Sequence, residues 1–148
     1  MQQMFCGVFK YKKQMYLVRL VDANGPNAIV WPPKPLYRGL TLEQFADEID
    51  RALKDYTALG RSICPQEWKE RSEQALAYFG ETSDAAFQKK KKDVTIRFDV
   101  ARKTYALFDG TTGAQIGEMN SVRDVAHAIY GRIGEPTAEP PAEGDLMV

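Results

Sequence analysis

His127 is the single histidine of this 148-residue chain, so a Cys-His pair, a Ser-His-Asp triad or a multi-histidine metal site would have to be built around one ring. It sits between Ala126 and Ala128 in a helix-type stretch, which reads as a solvated or partly buried helix position. The two cysteines, Cys6 and Cys64, are far apart and form no C-x-x-C pair, so they do not suggest a zinc ribbon or a dithiol centre. Each reads as a buried free thiol packing as a small hydrophobe. Gly110-Thr111-Thr112-Gly113 looks like a phosphate loop but carries no Lys and opens a strand, so it reads as a hairpin turn. Asp47, Glu48 and Asp50 cluster as acid–base or metal-binding carboxylates do, yet helical spacing puts Asp47 and Asp50 opposite the apolar stripe, in water. No catalytic residues, metal ligands or cofactor are expected, and the residue set favours a binding protein over an enzyme.

Binding chemistry is better represented. Trp31-Pro32-Pro33-Lys34-Pro35-Leu36-Tyr37 is an aromatic loop stiffened by proline, and stiffness lowers the entropy lost on binding. It could equally be a rigid lid over the core. Lys89-Lys90-Lys91-Lys92 is the sharpest charge feature, followed by strands bearing Phe98, Tyr105 and Phe108. Cations beside stacking platforms would suit a single-stranded nucleic acid, while four Lys closing a helix also complement its dipole and keep a connector soluble. Glu43, Asp47 and Asp50, with Glu67, Glu70 and Glu73 further on, could present an acidic surface to a basic partner.

The elements that must position these groups are legible from periodicity. Phe5 to Lys10 and Gln14 to Val21 are β-type runs joined across Tyr11-Lys12-Lys13, and a short third strand is expected over Ala28 to Trp31. Thr41, with Gln44 three residues on, forms a capping-box signature ahead of an apolar stripe of Leu42, Phe45, Ala46, Ile49, Leu53 and Tyr56, with Gly60 as the expected stop. A second helix is predicted over Pro65 to Phe79, facing inward with Trp68, Ser72, Ala75, Leu76 and Phe79, and Ser83 to Phe87 opens a third. The second half repeats the plan of the first: strands over Asp93 to Val100, Lys103 to Asp109 and Ala114 to Met119, then a helix capped by Ser121. When Thr41 is laid on Ser121, Leu42 meets Val122, Phe45 meets Val125, Ala46 meets Ala126, Ile49 meets Ile129 and Leu53 meets Ile133.

The expectation is an α+β fold of two β-β-β-α units, residues 5–59 and 93–133, joined by a helical connector over 60–92, with antiparallel strands packed on helices in one domain of residues 1–133. Residues 134–148, with Glu135, Glu139, Glu143, Asp145 and no Lys or Arg, read as a disordered or loosely attached acidic tail. The whole chain has 20 basic and 20 acidic side chains, but residues 1–133 carry 20 basic against 16 acidic, a net of +4. That excess is too small to announce a nucleic-acid binder by itself. No apolar run is long enough to cross a bilayer and the N-terminus has no secretory pattern, so no membrane partner and a cytoplasmic location are expected.

In this order of elements the chain resembles the immunity proteins of bacterial contact-dependent growth inhibition systems, small cytosolic antitoxins that neutralise a delivered toxin domain. The residues that carry the resemblance are Ser83-Asp84-Ala85-Ala86-Phe87 with its Lys run, the strand Val94-Thr95-Ile96, the strand around Tyr105 and the glycine-rich turn. The resemblance implies non-catalytic, one-to-one binding to a cognate toxin C-terminal domain, often a nuclease, by blocking its active site or substrate path. From the residues alone, the candidates for contact are Trp31 and the acids Glu43, Asp47, Asp50, Glu67, Glu70 and Glu73, which could mimic phosphates before a cationic groove. The alternative is a single-stranded nucleic-acid module using Lys89, Lys90, Lys91 and Lys92.

Overall fold

A computed structural model describes residues 2–141. The first hairpin pairs β1 (Gln3–Tyr11) with β2 (Gln14–Asp22) through a tight turn in which Lys12 takes a positive φ. Next along the chain come β3 (Asn27–Ile29), β4 (Lys34–Leu36), α1 (Leu42–Lys54), β5 (Thr57–Ala58), α2 (Pro65–Phe79) and α3 (Asp84–Lys90). The chain then returns as β6 (Lys91–Asp99), β7 (Thr104–Asp109), β8 (Gln115–Met119) and α4 (Val122–Ile133). The main sheet runs β3-β2-β1-β6-β7-β8, an order symmetric about the β1/β6 pair, and all its pairings are antiparallel. This is the expected α+β class.

Period-two alternation divides the sheet into two chemically different faces. Cys6, Val8, Met15, Leu17, Val94, Ile96 and Leu107 point to one face, where α1 and α4 bury Phe45, Ile49, Leu53, Val125, Ala126 and Ile129 against them. Both helices are fixed at their start by the expected caps: Thr41 and Gln44 close a full capping box, and the Ser121 side chain accepts from the Asp124 amide. Where the two helices touch, the Phe45 and Tyr130 rings stack at 4.8 Å and 6°. On the other face Phe9, Tyr11 and Val18 pack with Phe87, Leu76 and Phe79 of the α2–α3 segment, and a third cluster joins Ala23, Ala28 and Ile63 to Trp68.

Several boundaries differ from the sequence reading for local reasons. The third strand stops at Ile29, and a fourth follows, because β3 and β4 are two halves of one edge strand along β2. Ile29 lies opposite Leu20 and Lys34 opposite Leu17, so Trp31 and Pro32 are extra residues thrown out of the ladder. Pro35 is tolerated in β4 because the outer edge needs no amide donor. Helix α1 ends at Lys54, before Gly60; Asp55 caps it, and Tyr56 turns back to place its ring 5.4 Å from Phe5 and its hydroxyl 2.6 Å from Asn27. Thr57 and Ala58 then pair in parallel with Val21 and Asp22, a two-residue strand with no periodicity to betray it. Cys6 is buried as expected, but Cys64 is exposed, because it is the residue that precedes α2.

The tail differs as well. Residues 134–141 lie against the domain: the Arg38 amide donates to Ala138, Arg38 pairs with Glu139 at 2.9 Å, and Pro136 is buried. The expectation of disorder for residues 142–148 falls outside the described residues.

The α2–α3 turn is tied to the sheet by one carboxylate. Glu81, its side chain 6% exposed, accepts from the Tyr11 hydroxyl and pairs with Lys90 at 2.8 Å. Lys90 and then Tyr11 hold the Glu81 carboxyl below its usual range, and Glu81 in turn pushes the Tyr11 phenol up to about 12. A depressed carboxyl contributes stability above the unfolded value of about 4.3, which is lost as pH falls through the folded value. Urea titrations of wild type and Glu81→Gln should therefore differ most at neutral pH, the difference shrinking as pH falls through the lowered folded value of Glu81. Phe45→Ala should cost about 3–5 kcal/mol in the same measurement, because it empties the junction of α1, α4 and the sheet.

Candidate functional site

Helix α2 packs apolar side chains into the buried clusters only towards its two ends. Trp68 near its start packs into the Ala23/Ala28/Ile63 cluster, while Leu76 and Phe79 near its end join the Phe9/Tyr11/Phe87 cluster. Between these anchors the inward residues are Ser72 and Ala75, too short to fill the space beneath, and none of the helix's residues is fully buried. The consequence is a cleft, with cavity volumes of about 380 and 110 Å³ in two adjoining compartments that share Ile29, Trp31, Ala75, Phe87 and Lys91.

The aromatic loop supplies the outer wall. The two residues displaced from the edge strand carry Trp31 to within 5.2 Å of Tyr78 in an edge-to-face contact, and Tyr78 remains 51% exposed. Arg71 closes the corner by donating to the Ile29 carbonyl at 3.2 Å while pairing with Glu67. Glu67 is held between Arg61 at 2.7 Å and Arg71 at 3.2 Å, and hydrogen bonds from both guanidinium groups, Arg61 foremost, lower its pKa. Just outside, Trp31, Glu67, Glu70 and Arg71 line a shallower depression of about 490 Å³.

At the inner wall Lys91 crosses the Phe87 and Phe9 rings at 5.1 and 5.6 Å and pairs with Asp93 at 3.1 Å. The Asp93 carboxylate occupies the space a side chain at position 110 would need, so only Gly110 fits opposite it. Thr95 and Gly7 continue the cleft floor onto the open sheet.

The sequence-derived candidates are thus redistributed. Trp31, Glu67, Glu70 and Glu73 belong to the α2 side, whereas Glu43, Asp47 and Asp50 stand on α1, across the sheet, with Glu43 paired to Arg123 and Asp50 to Lys54. The six acids form no single surface, because the connector carries the chain from one face to the other. The lysine run is divided too. Helix α3 ends at Lys90 and β6 begins at Lys91, so consecutive side chains diverge: Lys90 pairs with Glu81, Lys91 turns inward, and Lys89 and Lys92 remain exposed. A four-cation strip does not exist on the surface. Gly110 to Gly113 is the expected turn, tied by the Asp109 carboxylate accepting from the Thr111 and Thr112 amides. His127 is exposed on α4, remote in the sheet order from the cleft, and no cluster of three or more His, Cys, Asp or Glu suited to a metal occurs among the described residues.

Missed at the sequence level were Arg71, Tyr78, Asp93 and Thr95 as cleft residues. Trp68 and Ala75 of α2 were read correctly as inward-facing, but nothing in a helical stripe tells whether that face is filled or stands off.

No protein-family model matches the chain, and comparison with curated protein sequences gives no match. The fold does have solved counterparts. A protein of unknown function from Neisseria meningitidis is similar over 85% of this chain and 90% of its own, with a TM-score of 0.62 at 14% identity. A chain of the CdiA-CT/CdiI toxin and immunity complex from Yersinia pseudotuberculosis is similar over 87% of this chain and 94% of its own, with a TM-score of 0.56 at 8% identity. At such identities the likeness is one of fold, extending over nearly the whole of each chain.

Proposed function

We propose that this protein is an immunity protein: it binds a toxin domain, of nuclease type, and neutralises it by stoichiometric complex formation without turnover. The observation that carries the reading is the fold likeness to a chain of a toxin and immunity complex, over 87% of this protein. The resemblance read from the sequence points to the same class of protein by a separate route.

The surface we assign to the toxin is the α2 side of the molecule. Protein interfaces concentrate their energy in Trp, Tyr and Arg at partly enclosed sites, and Trp31, Tyr78 and Arg71 stand together at the mouth of the cleft. Glu70 and Glu73, exposed along α2, add negative charge beside these anchors and suit a toxin whose substrate groove is basic. The α1 acids lie on the opposite side and take no part in this assignment.

Co-expression tests the reading. Cells making the toxin domain encoded beside this gene should survive when this protein is present and die when it is absent; equal killing in both cases would overturn the function. In the purified pair, Trp31→Ala should raise the Kd by about thirtyfold or more, as expected for loss of an interface anchor, with the urea midpoint of the free protein little changed.

A further inference from the structure

Eight of the chain's nine arginines form ion pairs: Arg19, Arg38, Arg51, Arg61, Arg71, Arg102, Arg123 and Arg132. The ninth, Arg97, forms none among the described residues. It lies mid-sheet in β6, between Phe5 on β1 and Ala106 on β7, on the face that carries the cleft. Its guanidinium sits 5.0 Å above the Phe108 ring, and its Nε is buried with no hydrogen-bond partner.

This is an expensive way to place a cation. A guanidinium partly removed from water and without an ion-pair partner loses hydration that the Phe108 ring beneath it returns only in part. The neighbouring carboxylates are engaged elsewhere: Asp93 pairs with Lys91, Glu118 with Arg102, and Asp99 accepts from the Arg102 amide, so none forms an ion pair with Arg97. The surrounding surface is open. Helices α2 and α3 cover the β1–β2 half of this face, whereas α4 packs β7 and β8 from the other side. Two residues along β6, Thr95 forms the end of the cleft floor, so Arg97 continues the surface assigned above.

We propose that Arg97 is the receptor for a carboxylate of the protein partner, an Asp or Glu side chain that lies across the open β6–β7 face as the partner fills the cleft. This rests on the immunity reading and adds to it the chemistry of one contact. The ring beneath Arg97 holds the head group in place, so little side-chain entropy remains to be lost, and a carboxylate matches the donor pattern of guanidinium. A nucleic-acid strand fits less well, because a phosphate backbone needs a line of cations and Arg97 is flanked along β6 by Asp99 and Asp93.

The test measures toxin binding by wild type, Arg97→Gln and Arg97→Lys, with urea midpoints of each free protein. Arg97→Gln should raise the Kd about thirtyfold or more while its midpoint stays at or above that of wild type, since it removes a charge without an ion-pair partner. Arg97→Lys, which keeps the charge but not the fork, should still lose about tenfold and serves if the glutamine variant does not fold. Alanine substitution of the toxin's Asp and Glu residues should find one whose cost disappears in the Arg97→Gln background. Binding by wild type with both variants within twofold of it would overturn this inference and leave the immunity reading standing. Absence of wild-type binding would remove both. Tight binding of a single-stranded oligonucleotide, abolished in Arg97→Gln, would assign the residue to nucleic acid and overturn the carboxylate.

Discussion

The nine-residue antiparallel pairing of β1 with β6, from Gln3 opposite Asp99 to Tyr11 opposite Lys91, is the constraint on which the rest of the molecule depends. It joins the start of the chain to a segment that follows α3, so the chain must build one edge of the sheet, leave it and return to its centre. A pairing of such sequence separation is rewarded only after a long loop has been closed, and both β-hairpins and the α1–α4 contact can assemble around it. The pleat then settles the chemistry. Cys6, Val8, Val94 and Ile96 are fully buried on one side, while Gly7, Phe9, Asp93, Thr95 and Arg97 face the other. One face makes a single large core, and the other makes two smaller clusters with a gap between them.

That division separates stability from availability. The α1–α4 layer buries a continuous apolar core against the sheet, with a depression of about 320 Å³ at its β8 margin between Ile116, Met119, Ala128 and Arg132. The α2–α3 layer is held by two clusters with a gap between them, and the gap is bordered by charges that are paired locally instead of being buried. Filling Ser72 and Ala75 with larger apolar residues would bring α2 more contact with the sheet, at the expense of the space beneath it. A helix anchored at both ends and open in the middle is a poor design for stability alone and a good one for receiving side chains from elsewhere.

How much of this was legible in the sequence follows from what periodicity can encode. The capping box at Thr41 and the stripe through Phe45, Ile49 and Leu53 specify α1, Pro65 at the first turn specifies α2, and Ser121 specifies the start of α4; each stands where its pattern places it. Strand β4 was hidden because a proline lies in it, and β5 because two residues have no period. Tyr56 continues the helical stripe of α1 but lies past its end: its amide still donates to Leu53, while its ring and hydroxyl reach Phe5 and Asn27. Face assignment was the larger loss. The acids of α1 and α2 look alike along the chain, and only the route of the connector reveals that the sheet lies between them. The lysine run misled for a related reason: composition counts four charges, but a change from helix to strand at Lys91 sends them in different directions.

Net charge is equally uninformative about what this surface can hold. Twenty basic and twenty acidic side chains cancel, yet cancellation by pairs and cancellation by average have different consequences. Lys91 paired with Asp93 contributes little field at a distance, because the two charges cancel within a few ångströms, whereas Glu67 between Arg61 and Arg71 leaves one positive charge over. What a partner meets is therefore set by the groups left over: the exposed ring of Tyr78 beside Trp31, the free carboxylates along α2, and Arg97 on the open sheet. A protein with no overall charge can in this way present a signed, directional surface on one face while its other face is occupied in holding the chain together.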